Sequence, residues 1–309
     1  MVSIDIIGIE IHRLIFHRCN HYITFKEYDM KFMKPSVFQI GQPEINSSGM
    51  RGFLQHIGAG QWAQDNFKQD GYDLLSRDSS EVEKLCEVYS RGCYKSFGAG
   101  LNPNVTKIRE GNAEHLANVI KSAHGSVFEH AMINFAFCDV SRVFTHELVR
   151  HRVGVAISQE SLRYVRLTEL KSMEFEQLAE ISEEDNEWFK QQVYEVFTFL
   201  EQKQQEMTVR FNLDNEASFN AKKKLTSRMR RMAPIGLLTY IGWSANIRTL
   251  RHLIPLRTHK AAEEEIRYVY KIVGQMMVDQ YPNAFFDFHF VKDGSHTELG
   301  EWRCDNVKI

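Results

Sequence analysis

A chain of 309 residues with 43% hydrophobic content can bury a substantial core, arranged as one elaborated domain or as two. Its 38 Lys and Arg stand against 40 Asp and Glu, a net charge of −2 without the basic excess expected of a dedicated nucleic-acid or membrane-surface protein. The five cysteines, Cys19, Cys86, Cys93, Cys138 and Cys304, are odd in number and lack paired metal-ligand spacing, so the expectation is a reduced, cytoplasmic protein without a leader, a membrane span or a metal.

In chain order, partial alternation over 2–16, with Ile4, Ile6, Ile9 and Ile11, predicts an opening strand. Residues 17–78 are rich in Gly, Asn and Gln with interspersed aromatics, and no chemistry is assigned to them. Helices are predicted over 80–94 and 112–122, separated by a loop holding Gly98, Gly100 and Pro103, and a strand over 131–137. Asp139 or Ser141 can then cap a helix whose apolar positions Val140, Val143, Phe144 and Leu148 share helical spacing, with Gly154 ending it. That places Arg150, His151 and Arg152 in the last turn, where the macrodipole alone favours cations. Their company argues for more. Ser158, Gln159, Ser161 and Arg163 follow on a polar strand, with Gln159, Ser161 and Arg163 on one face, as a phosphorylated, hydrogen-bond-rich ligand would require.

Farther on, 181–207 predicts an amphipathic helix with Trp188, Phe189, Val193, Phe197 and Leu200, read as a packing or subunit-contact helix. The helix over 217–231 carries Lys222, Lys223, Lys224, Arg228, Arg230 and Arg231, ordinarily a solvated face, with nucleic-acid binding as the alternative. A strand over 237–243 leads into Asn246, and a short helix follows over 247–256. A long final helix is predicted from near Thr258 to before Pro282, and Phe285, Phe286, Phe288 and Phe290 pack after it.

Arg150-His151-Arg152 followed by Ser161-Leu162-Arg163-Tyr164 resembles the signature of the flavin-dependent thymidylate synthases. His124-Gly125-Ser126-Val127-Phe128-Glu129-His130 upstream is similar to the family's His-rich segment. Downstream, Arg230 to Pro234, Asn246-Ile247-Arg248 and Leu256-Arg257 recur in the family's order, followed by a helix with Ala261, Glu265, Ile266 and Arg267. The resemblance runs from about Ser80 to about Phe290 with one insertion. Two departures stand out. Eight residues, Val153 to Glu160, separate Arg152 from Ser161 where the family has seven, so a bulge or longer turn near Gly154 must absorb one. About one further residue lies between His130 and Arg150, near Cys138 and Asp139.

The resemblance implies an α+β fold, a mixed sheet packed against long helices, with 1–79 an amino-terminal extension packing on the core, 80–309 the catalytic domain, and a helical insertion at about 178–215. It implies reductive methylation of dUMP to dTMP, with methylenetetrahydrofolate as carbon donor and NADPH as reductant through bound FAD, in a homotetramer whose active sites lie between subunits. FAD contacts are implied for Ser126, Arg150, His151, Arg152, Gln159, Asn246, Ile247, Arg248 and His252. Nucleotide contacts are implied for Glu147, Leu148, Val149, Arg150, Gln159, Glu160, Ser161, Leu162, Arg163, Arg230 and Arg257, with His124 near flavin and folate. A paralogue acting on another pyrimidine nucleotide is the alternative of the same fold.

The chemistry fits what is missing. Methylating C5 of uracil through a protein thiolate needs a Cys of lowered pKa, and none of the five cysteines lies in the matched motifs. A flavin route avoids that nucleophile, and Arg257 is the residue expected to polarise the ring, because an Arg stays charged and donates only. Ser161 has no adjacent base and is assigned to hydrogen bonding. His124 and His130 match no metal-ligand spacing.

Overall fold

The computed structural model describes residues 31–70, 73–98, 104–105, 107–174, 181–292, 294 and 299–307. The opening strand expected over 2–16, Cys19, Gly100 and Pro103 lie outside them. From the amino-terminal region come β1 (Phe32–Met33), β2 (Ser36–Gly41), α1 (Ser47–His56), α2 (Gly60–Asn66), and the hairpin of β3 (Phe67–Asp70) and β4 (Asp73–Ser76). There follow α3 (Glu81–Tyr94), α4 (Asn112–Lys121), a 3-10 turn (Gly125–His130), β5 (Met132–Ser141), α5 (Arg142–Leu148), β6 (Val155–Gln159) and β7 (Ser172–Met173). The remainder is α6 (Glu183–Arg210), α7 (Phe219–Met229), β8 (Leu238–Asn246), α8 (Ile247–Thr258), α9 (Glu264–Gln280), β9 (Phe288–Lys292) and β10 (Gly300–Cys304). The α+β expectation holds.

The central sheet is antiparallel in the order β2-β5-β8-β6. Ile133, Phe135 and Phe137 of β5, and Ile241, Trp243 and Ala245 of β8, alternate with outward residues and are buried, as period-two strands with one covered face must be. Against that face pack Leu250, Leu253 and Ile254 of α8 and Ile266, Val269, Tyr270 and Val273 of α9. The strand outruns its predicted end. Between Phe137 and Val140 two residues of β5 oppose one of β8, with Asp139 at φ 55°, so Val140 turns inward and the core face is kept. The extra residue expected near Cys138 and Asp139 coincides with this bulge.

Ser141 therefore caps α5, its Oγ accepting from the backbone N–H groups of Val143 and Phe144, and Val140 belongs to the strand. The helix is shorter than its hydrophobic spacing predicts. It ends at Leu148, so Arg150, His151 and Arg152 stand in the turn beyond it and not in its last turn. Gly154, at φ 68°, ends that turn immediately before β6. That strand stops at Gln159, and Ser161 to Tyr164 form a turn in which the Tyr164 N–H bonds Ser161 O at 2.9 Å, so Gln159, Ser161 and Arg163 do not share a strand face.

Thr258 closes α8 instead of opening the long helix: its hydroxyl bonds Ile254 O at 2.8 Å, and Glu263 caps α9 five residues later. The helix at Glu183–Arg210 is capped by Ser182 and packs Phe197 against Leu162, Leu167, Leu170 and Leu237. Of the final aromatic cluster, Phe285 and Phe288 are buried while Phe286 is exposed.

Candidate active site

The turn from Arg150 to Gly154 lies against the first turn of α8. Asn246 caps that helix, its side chain accepting from Thr249 N–H at 2.8 Å; Thr249 Oγ1 donates to Val153 O at 2.9 Å, and Asn246 N–H bonds Gly154 O at 3.0 Å. A Cβ on Gly154 would stand 2.4 Å from both Asn246 Nδ2 and Thr249 Oγ1. The missing side chain lets the turn and the helix meet.

Between them opens a pocket of about 540 Å³ lined by Glu129, Arg150, His151, Arg152, Val153, Gly154, Asn246, Arg248, Thr249, His252, Leu253 and Val307. Arg150, Arg152, Arg248 and His252 make its wall rich in cationic or donor groups, and Glu129 answers Arg248 across it. Such a wall suits a ligand with phosphates and many acceptors. Six residues singled out from sequence meet here: Arg150, His151, Arg152, Asn246, Arg248 and His252. Glu129, Thr249 and Val307 were missed. Glu129 sat inside the quoted His-rich segment, and Thr249 stands three residues after the cap; Val307 carried no signal.

Arg257, in the last turn of α8, adjoins the pocket through His151. Its Nε donates to His151 Nε2 at 2.6 Å and its Nη1 to Glu147 Oε2 at 2.8 Å. Burial, with the positive charges of Arg257, His252 and Arg150, pushes the His151 ring down to about 4, so the ring is neutral at physiological pH and free to accept through Nε2.

A second polar group lies at the opposite end of β6. Arg142 Nη2 donates to Glu160 O at 3.3 Å, and Thr239 Oγ1 donates to Glu160 Oε2 at 3.3 Å. Burial lowers the Arg142 pKa, Glu160 opposes that, and the nearby charge of Arg230 adds to it. Arg163 and Arg230 are exposed, Ser161 is half-buried, and Gln159 Nε2 donates to Thr145 Oγ1 at 3.1 Å. Arg142 was not anticipated, since it stands alone ahead of an apolar helix.

Other expected residues fall elsewhere. Leu148 and Ile247 are fully buried in the core, Leu162 is buried beside α6, and Val149 is exposed. Ser126 is exposed on the 3-10 turn and is not part of the pocket wall. His124 borders a different hollow of about 220 Å³ with Lys107, Arg109 and His115, its Nδ1 paired with the Tyr94 hydroxyl. Among the described residues no cluster of His, Cys, Asp or Glu is arranged to hold a metal, and no helix is long and apolar enough to cross a membrane.

The family model of the thymidylate synthase complementing proteins matches residues 74–283. The chain belongs to the flavin-dependent thymidylate synthase family. It is 30% identical over 230 residues to the flavin-dependent thymidylate synthase of Mycolicibacterium vanbaalenii, covering 72% of this chain and 86% of that protein. To that of Mycobacterium marinum it is 31% identical over 226 residues, covering 71% and 85%. Among solved structures, the UMP/dUMP methylase PolB from Streptomyces cacaoi bound with 5-Br dUMP superimposes with a TM-score of 0.54 at 14% identity, over 83% of this chain and 96% of that one. That likeness is one of fold. As a flavin-dependent thymidylate synthase family member the protein is an enzyme, and the matched stretch contains both polar groups and the bulge that sets α5.

Proposed function

We propose that the protein performs the reductive methylation of dUMP to dTMP, with methylenetetrahydrofolate as carbon donor and NADPH as reductant through bound FAD. The observation that supports this best is the adjacency of two donor arrays: the cationic pocket, and the Arg257 guanidinium joined to it through His151. The pocket suits FAD by its donor set, which can neutralise a pyrophosphate without a glycine-rich turn. When bound, the flavin supplies hydride to the pyrimidine.

Arg150, Arg152 and Arg248 then hold the cofactor phosphates, and Asn246 and His252 add hydrogen bonds. Of the other residues expected to contact the cofactor, Ser126, Ile247 and Gln159 do not line this pocket, and Gln159 stands at the opposite end of β6, where only the pocket of another copy could bring it to the cofactor. Arg257 donates to a ring carbonyl and gains strength as negative charge develops there. Ser161, Arg163 and Arg230, with Glu160, bind the nucleotide, and His124 lies toward the folate. The five residues of β6 separate this group from the pocket by roughly 17 Å at about 3.4 Å per residue, too far for one small ligand to bridge within a chain. That spacing supports completion of each site by a second copy, and we read the assembly as a cytoplasmic homotetramer. No nucleic-acid or membrane partner is invoked, and the Lys222 to Arg231 run is read as a solvated face.

A thiolate route is disfavoured at three of the cysteines. Burial pushes the Cys86 thiol up to about 12 and raises Cys138 and Cys304 as well. The test is tritium release from C5-labelled dUMP by the flavin-loaded enzyme. Release that requires both NADPH and methylenetetrahydrofolate is expected. Release from labelled UMP in place of dUMP would move the substrate to the ribonucleotide, and none from either would overturn the reaction.

A further inference from the structure

The three nitrogens of Arg257 are not equivalent. Nε is held by His151 and Nη1 by Glu147, while among the described residues Nη2 donates to nothing. The two acceptors come from the last turn of α5 and the turn beyond it, whereas Arg257 comes from the end of α8. A long, rotamer-rich side chain is thereby fixed in position and in plane, with one N–H₂ edge left over. The pair is also sheltered, with side-chain exposures of 17% for Arg257 and 32% for Glu147, so it is screened less than a surface ion pair.

We propose that Glu147 is a positioning residue: its carboxylate, with the His151 ring on the other side, holds the Arg257 guanidinium so that the free Nη2 edge meets the pyrimidine. This rests on the assignment of Arg257 to the ring given above. A carboxylate can only accept hydrogen bonds, and beside an anionic nucleotide an unpaired one would repel. Bound to Arg257, Glu147 is neutralised and its charge serves the cation that does the work. His151 can fill the second place only as a neutral ring. It is faced by Arg257 and His252 from α8 and by Arg150 from its own turn, with Glu147 on α5 close by; Glu263, at the start of α9, feels the Glu147 charge in turn.

A double-mutant cycle tests the dependence. Glu147→Ala should lower kcat at saturating dUMP by about tenfold or more, with KM for dUMP changed less than about threefold, and Glu147→Ala with Arg257→Ala should be no slower than Arg257→Ala alone. Glu147→Gln keeps an acceptor for Nη1 and should recover most of the loss. Additive losses in the double variant, or a loss confined to KM, would overturn the proposal.

A second readout does not depend on which substrate is used: the titration of His151 followed by nitrogen NMR. Removing the carboxylate alone would lower the ring's pKa by direct electrostatics, whereas releasing the guanidinium from Nε2 raises it. An upward movement of about half a pH unit or more in Glu147→Ala, and none in Glu147→Gln, is the expected signature. Without the upward movement Glu147 does not hold the guanidinium and the idea fails, whether or not dUMP is methylated; with it in an enzyme that releases no tritium, the fault lies with the reaction.

Discussion

Arg150 and Arg152 stand beyond the end of α5, and both line the pocket beside Arg248 and His252. Replacing either with Ala should weaken FAD binding by about 1.5–3 kcal/mol, the scale of a hydrogen bond to a charged group, measured by flavin fluorescence titration. A double variant that purified with the parent's flavin content would remove this pair from the cofactor. The cysteines give the converse expectation. With Cys86 buried among apolar side chains and its thiol pushed up to about 12, replacing all five, Cys86 by Ala and not Ser, should leave measurable methylation in the folded variant. Complete loss in a variant that still binds FAD and dUMP would reinstate a thiolate.

Among the elements, the stretch from Ser141 to Gln159 is the instructive one. Its apolar spacing was legible as a helix, but the helix is shorter at both ends, because the bulge at Cys138 and Asp139 keeps Val140 in the strand and the chain turns at Val149. Gly154 was legible as a position for a left-handed residue, and its neighbours were not. Gly154→Ala combines a φ of 68° with a Cβ at 2.4 Å from Asn246 and Thr249, and should destabilise the protein by about 1–3 kcal/mol while weakening FAD binding. Thermal melts with and without added FAD check both parts; a parent-like melt and parent-like flavin affinity would show that the turn can shift freely.

For the whole molecule, acid is the informative perturbation. His115 is buried, paired with Ser90 Oγ at 2.5 Å, and pushed down to about 4 by burial first and then by Arg91. His151 is pushed to about 4 as well. Both rings bind a proton less readily in the folded chain than in the unfolded one, so their contribution is complete above the ordinary value of 6.5 and drains as pH falls toward 4. Glu265 has the opposite sign. Buried and bonded by Ser141, it is raised to about 7, so its share is complete below 4.5 and is lost as pH rises through 7. Tm measured from pH 7 down to 4.5 should therefore fall less steeply in His115→Gln than in the parent. Parallel curves would show that His115 does not contribute to the acid sensitivity.

What the sequence determined by itself was local and periodic: the helix opening at Ser80, the strands that became β5 and β8, the helix after Asn246, and the ordered motifs that mark the family. These are set by residue type and near-neighbour spacing, which the linear chain carries in full. Tertiary structure alone decided which polar residues meet. The Arg257 contacts span 106 and 110 positions, Val307 reaches the pocket from the far end of the chain, and the leucine and isoleucine inside the signature segments go to the core. A hydrogen bond between distant residues leaves no period to read, because its geometry comes from how the sheet and helices pack.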